Sequence, residues 1–152
     1  MKPVKKNKNN VTIRKMTQKD YDSVIRLWKE GDLPYRPQGR DSKIDFQRQL
    51  QQPTSLYFIA QIDNNIIGTV LGTHDGRKGW INRLVVAPLF RKTGIAKLLV
   101  EEVERQLTAR KIDIIACLIE EWNTSSMQVF QQLGYVKHTD IFYFSKRKNK
   151  YV

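Results

Sequence analysis

Two periods alternate along the chain. Val11 to Lys15, Leu56 to Ile62, Ile66 to Thr73 and Trp80 to Val86 are short runs rich in β-branched and aromatic residues, which predicts strands. Asp63-Asn64-Asn65 reads as a hairpin turn and His74 to Gly79 as the next turn, so the last three runs form an antiparallel meander. Helical spacing appears elsewhere. Thr17-Gln18-Lys19-Asp20 has the form of a capping box, Val24, Leu27 and Trp28 give an apolar stripe, and Gly31 gives a stop. Asp32 to Arg40, with Pro34, Pro37 and Gly39, is a loop; Asp41 can cap a second helix that carries Ile44, Phe46 and Leu50 and is closed by Pro53. Ile95, Leu98, Leu99 and Val103 then recur at helical spacing, Ile112 to Ile119 is a strand, and Ser125 to Leu133 is a short helix stopped at Gly134. Tyr135 onward offers two more strands, the last being Ile141 to Ser145. A strand, helix and strand in succession imply a parallel pair with a right-handed crossover, so the fold class is α/β, a mixed sheet with helices on both faces.

The first candidate chemistry lies between Ile81 and Leu107. Leu84-Val85-Val86 ends at Pro88, which cannot donate to a sheet ladder, and a helix starts near Thr93. The turn between them, Arg91-Lys92-Thr93-Gly94, is basic and is followed by Ile95 and Ala96. Unpaired N–H groups and the positive end of the helix dipole act together on a phosphate, and Gly94 lets the backbone approach it closely. Neither the Gly-x-x-x-x-Gly-Lys loop nor the Gly-x-Gly-x-x-Gly fingerprint is present. Taken alone, the turn reads equally well as a plain structural connection.

Val86, Pro88, Arg91, Gly94 and Ala96 follow the pattern Val-x-Pro-x-x-Arg-x-x-Gly-x-Ala, and Asn123 is followed by Ser126, Val129, Phe130, Leu133, Gly134 and Tyr135. In this order and spacing the two stretches resemble the motifs of the GNAT superfamily of N-acetyltransferases, over roughly residues 11 to 146. Within it, the chain resembles the small stand-alone members of the ribosomal-protein alanine acetyltransferase branch. The resemblance implies a largely antiparallel sheet of six to seven strands with a splayed parallel pair at its centre. It also implies acetyl-CoA as cofactor, with CoA as product. Arg91, Lys92, Thr93, Gly94, Ile95 and Ala96 would hold the pyrophosphate, backbone around Leu84, Val85 and Val86 would bond the pantetheine arm, and Asn123 would bond that arm from the other side, next to Phe130. Without the resemblance, Leu84 and Val86 read as core and Asn123 as a helix N-cap.

Length and charge narrow the partners. At 152 residues the chain suggests one domain, here residues 11–146 between basic tails at 1–10 and 147–152, and a chain of that size buries roughly 70% of its unfolded surface without staples. The single Cys117 excludes an internal disulfide and reads as a small buried hydrophobe. With no signal-peptide pattern or long apolar span, a cytoplasmic protein without a membrane partner is expected. The net charge of +12 comes largely from the two ends: residues 1–10 and 146–152 hold eight of the 27 basic groups and no acids and leave residues 11–145 at +4. No aromatics interleave with the basic runs, which argues against nucleic acid as a partner.

The reaction implied by the resemblance is direct attack of a neutral amine on the thioester. The helix-loop-helix after the first strand would line the acceptor side, so Tyr35, Arg36 and Arg40, with Glu121, are candidates for recognising the acceptor, although basic loop residues need no such role. The second motif usually carries a Tyr as general acid; Phe130 stands there and has no proton to give. Water, Tyr135 or Tyr143 could supply the proton instead. The related branch carries a base five residues before the Asn, where this chain has Leu118, so Glu120, on the same face by strand alternation, is the leading base candidate. His74 and His138 are lone residues in a turn and between strands, and no His, Cys or Asp spacing suggests a metal. An α-amine is roughly 10% neutral at pH 7 and a lysine amine far below 1%, so a site short of a strong base suits a protein N-terminus or a small amine. A CoA-binding module without chemistry and a nucleic-acid protein acting through its tails are the competing readings. The late strands offer a surface for a homodimer.

Overall fold

The meander forms as its pattern predicts. In the computed structural model, which describes residues 10–152, β1 (Val11–Lys15), β2 (Ser55–Ile62), β3 (Asn65–His74) and β4 (Gly79–Val86) pair antiparallel in sequence order. β5 (Ile115–Cys117) then adds parallel to β4, so the order is β1-β2-β3-β4-β5. Most of the basic stretch at residues 1–10 lies outside the described residues. Asp63 takes φ 53° in the hairpin, and Asp75 closes the next turn by accepting from the Arg77 and Lys78 N–H groups at 2.8 Å each.

Helices cover both faces. α3 (Ile95–Ala109) buries Leu99, Val100, Val103 and Leu107 completely, each worth about 1.5–3 kcal/mol. It lies so close to the sheet that a Cβ on Gly72 would meet Val103 Cγ1 at 2.5 Å and one on Gly79 would meet Leu107 Cδ1 at 2.5 Å. On the opposite face α1 (Tyr21–Glu30) buries Val24, Ile25, Leu27 and Trp28, and the Trp28 indole donates to Thr69 Oγ1 of β3 at 3.0 Å. α2 (Lys43–Leu50) inserts Phe46, and α4 (Thr124–Gln132) inserts Phe130. Among the described residues no helix is long and apolar enough to cross a membrane.

Several expectations are corrected. The sheet has five strands, not six to seven, and the parallel pair lies at its edge. Residues 135–152 form no strand, and Ile141 to Phe144 are exposed. A strand pattern needs a ladder to join, and β5 offers three residues, paired only at Gly79–Ile115, Trp80–Ala116 and Ile81–Cys117. The expected strand Ile112 to Ile119 shortens accordingly. Ser42, not Asp41, caps α2, accepting from the Asp45 N–H at 3.2 Å, and Ile44 is exposed. Gly31 does end α1, but at φ −87°; it is a glycine because a Cβ would lie 2.6 Å from Val85 Cγ1, and Asp32 takes the left-handed turn at φ 56°.

Candidate active site

The basic turn opens α3 without a side-chain cap. Gly94 is the residue before the helix, at φ 85°, a conformation that costs glycine nothing, and Lys92 before it is also left-handed at φ 59°. No acidic residue lies in the first turn, so its free N–H donors and the dipole act with Arg91 and Lys92 in one positive field. Arg91 is tethered by donating from Nε to the Val86 carbonyl at 3.3 Å. The turn borders a cavity of about 800 Å³ whose walls include Leu84, Val85 and Val86 on one side and Asn123, Ser126 and Val129 on the other.

Beyond Ile81 and Cys117 the parallel ladder ends and the two strand directions separate. The gap leads to a second cavity of about 240 Å³, between Asn82, Arg83 and Leu84 on β4 and Leu118, Ile119 and Glu120 after β5. Leu33, Leu84, Trp122, Asn123 and Ser126 line both cavities, so the two adjoin along these residues.

The separation coincides with an irregularity in β4. Pairing shifts between Thr69 and Leu71, and Arg83 opposite them is left-handed at φ 52°, an uncommon state for a residue with a Cβ. Its surroundings hold it there. The Arg83 guanidinium lies 4.8 Å from the Trp28 ring centroid, donates to the Pro34 carbonyl and pairs with Asp41 Oδ2 at 2.9 Å, while Thr69 Oγ1 donates to the Arg83 carbonyl at 3.1 Å. Asp41, buried, also accepts from the Arg36 N–H at 2.6 Å. Burial pushes the Arg83 guanidinium below its ordinary value; Asp41 opposes that shift, and Arg40 and Arg36 add to it. Sequence reasoning missed this residue, although a charge inside the apolar run Ile81 to Val86 was its signal.

The predicted site residues divide. Arg91, Lys92, Gly94, Ile95 and Ala96 line the large cavity, Thr93 stands in the turn with its hydroxyl donating to the Phe90 carbonyl, and Asn123 lies at the junction. The Asn123 side chain caps α4 by accepting from the Ser126 N–H at 3.2 Å. Arg36, Arg40, Glu120 and Phe130 line the small cavity. Glu120 follows the end of β5, so strand alternation does not run as far as it; a turn, in which its carbonyl accepts from the Asn123 N–H at 2.9 Å, sets its position. Tyr35, Glu121, Tyr135 and Tyr143 line neither cavity. The Tyr35 ring carries Lys29 Nζ at 5.4 Å, and Tyr143 and Glu121 are exposed. Tyr135 packs edge-on against Phe130 at 5.0 Å and donates to Glu104 Oε1 of α3 at 2.8 Å. Burial, then this carboxylate, push its hydroxyl well above the ordinary phenol range, which makes it a weaker acid. The Cys117 thiol, half-buried in the small cavity's wall, is pushed up to about 11 by burial.

A sheet whose parallel strands part beside an uncapped, basic helix N-terminus defines an acyl-CoA-type transferase fold, and residues 21–135 match the family model described as the acetyltransferase (GNAT) family. The chain belongs to the GNAT acetyltransferases, as its two motifs implied. The aminoglycoside N-acetyltransferase AAC(6')-Iy in complex with CoA is 25% identical, with a TM-score of 0.75 over 97% of this chain and 99% of that one. The PaiA N-acetyltransferase from Thermoplasma acidophilum, in complex with coenzyme A, is 19% identical, with a TM-score of 0.76 over 86% and 92%. The ribosomal-protein alanine N-acetyltransferase from Escherichia coli shares the fold at 15% identity, with a TM-score of 0.71 over 85% and 79%.

Proposed function

We propose that the protein transfers the acetyl group of acetyl-CoA to a primary amine within a ternary complex. The observation that carries this reading is the Gly94 turn bordering a large cavity that adjoins a small one along Leu84 and Asn123. Acetyl-CoA occupies the large cavity, its pyrophosphate against the N–H groups of residues 94–97 and its pantetheine arm between Val86 and Asn123. The amine enters from the small cavity. Its nitrogen attacks the thioester carbonyl, the C–N bond forms as the C–S bond breaks, and a main-chain N–H near Val86 meets the charge on the carbonyl oxygen. Glu120 accepts the amine's proton, directly or through water.

The departing thiolate takes its proton from solvent. A thiol of pKa about 8.5 is a tolerable leaving group at neutral pH, so the general acid missing at Phe130 costs a factor within about 10²–10⁴. Tyr135, tied to Glu104, is no replacement. With a carboxylate as base and no acid, an α-amine suits the site better than a lysine side chain.

Calorimetric titration of acetyl-CoA into the wild type and a Gly94→Glu variant, followed by turnover on matched α-amine and ε-amine peptides, tests the proposal. Micromolar binding abolished by the variant, with faster transfer to the α-amine, is expected. Folded wild type that binds no acetyl-CoA would overturn it; binding without turnover of any amine would leave a CoA-binding module instead.

A further inference from the structure

The small cavity is strongly positive. Arg36, Arg40, Arg83 and Arg147 line it, and Glu120 is the single acid among its lining residues. Arg83 is already neutralised by Asp41 from behind, at 2.9 Å. Arg36 and Arg40 form no ion pair with any described residue, and Arg147 donates to the Val152 main-chain oxygen at 2.9 Å. The loop that carries two of these cations is held firmly. Asp41 accepts from the Arg36 N–H and pairs with Arg83, and the chain at Tyr151 and Val152 packs so tightly on Gly39 that a Cβ there would lie 2.4 Å from the Tyr151 carbonyl oxygen. Arg36 and Arg40, without an ion-pair partner among the described residues, and Arg147, held to a main-chain oxygen, therefore stand around one small opening.

We infer that the acceptor amine carries a second, anionic group, a carboxylate or a phosphate, which Arg36, Arg40 and Arg147 receive while the amine points past Glu120 toward the thioester. The inference rests on the transferase reading above. Guanidinium groups match carboxylate and phosphate with paired N–H donors, and the like charges of Arg36 and Arg40, which already push on Arg83, are relieved by an anion and worsened by a cation. The same charges argue against a polycationic acceptor of the aminoglycoside kind, whose several ammonium groups would meet arginines with one carboxylate to share. An acidic peptide N-terminus and a small amino acid or amine phosphate present the same chemistry.

The test compares kcat/KM for short peptides with an N-terminal alanine followed by two Glu, two Gln or two Lys residues, with ethanolamine against phosphoethanolamine as the small-molecule pair and neamine as the polycation. Several exposed ion pairs acting together make the expected preference for Glu over Gln at most about tenfold, with Lys and neamine slower still. The preference should shrink in 0.5 M salt and vanish in an Arg36→Gln/Arg40→Gln variant, with the KM for acetyl-CoA as control for an intact cofactor site. A gain confined to phosphoethanolamine assigns the anion to small molecules, and one confined to the Glu peptide assigns it to protein termini. Equal rates across each set, or a preference for Lys or neamine, overturn the inference while leaving the transferase reading standing. If no amine is turned over, that reading fails instead. Calorimetric binding of the Glu and Gln peptides and of phosphoethanolamine against ethanolamine to the CoA-loaded protein then decides the charge preference, equal affinities throughout overturning it.

Discussion

Two buried carboxylates, Asp41 and Asp20, are each answered by one arginine. Asp41 and Arg83 have side chains only 7% and 13% exposed, so removing one charge strands the other; Asp41→Asn should cost about 3 kcal/mol in urea denaturation and loosen the loop at Arg36. Asp20 is held near the start of α1 by two hydrogen bonds from Arg14, at 2.8 and 2.9 Å, and one from the Thr17 N–H at 2.8 Å. Those bonds, Arg14's first, keep the Asp20 carboxyl below the usual carboxylate range. A carboxyl so depressed stabilises the fold fully above its unfolded pKa of about 4 and loses that contribution as pH falls through the folded value. Asp20→Asn should therefore destabilise by about 1–2 kcal/mol at pH 7 and flatten the acid limb of a stability-against-pH curve; an unchanged limb would remove Asp20 from the account. At this scale the sequence was legible in part. The capping-box pattern showed Asp20 as a bonded acid, whereas Asp41 looked like a helix cap because its partner Arg83 is 42 residues away.

The element that follows the Gly94 turn is α3, and Gly68, Gly72 and Gly79 set its distance from the sheet. Gly72→Ala should cost about 1–3 kcal/mol, because its Cβ would strike the stiff Val103 at 2.5 Å with the Leu56 carbonyl at 3.0 Å behind it. It should also weaken acetyl-CoA binding, since any outward shift of α3 carries Gly94 along. Gly76→Ala is the control: it meets no atom within 4 Å and costs roughly 1–2 kcal/mol through its φ of 86° alone, with cofactor affinity unchanged. Thermal melts and calorimetry on the pair separate packing from backbone strain. The helices and the meander could be read from period and turn residues, since these are local signals. β5 and the late strands could not, because whether an apolar run becomes a strand depends on an edge supplied from elsewhere, and the β4–β5 ladder ends after three residue pairs.

For the whole molecule, the large cavity is where stability and function meet. A ligand that binds only the folded chain stabilises it by about 2.7 kcal/mol at a hundred times its Kd, which for a domain of this size is a rise in Tm of about 5–10 °C. Scanning calorimetry with and without CoA should show that rise in the wild type and lose it in Gly94→Glu. No shift in the wild type would mean that the cavity does not hold the cofactor. The two motifs made the family and the basic turn at Gly94 readable, since both are local patterns of residue and spacing. The small cavity was harder to see. Its cations are contributed by Arg36 and Arg40, by Arg83 and by Arg147, which lie far apart in the chain and meet only in the fold. The seating of Tyr151 and Val152 on Gly39 has a practical consequence for handling the protein. An affinity tag or fluorescent fusion joined after Val152 would start beside the loop that carries Arg36 and Arg40, so kinetics on a tagged preparation would report on the label as well as on the protein, and a cleavable tag should be removed before rates are measured.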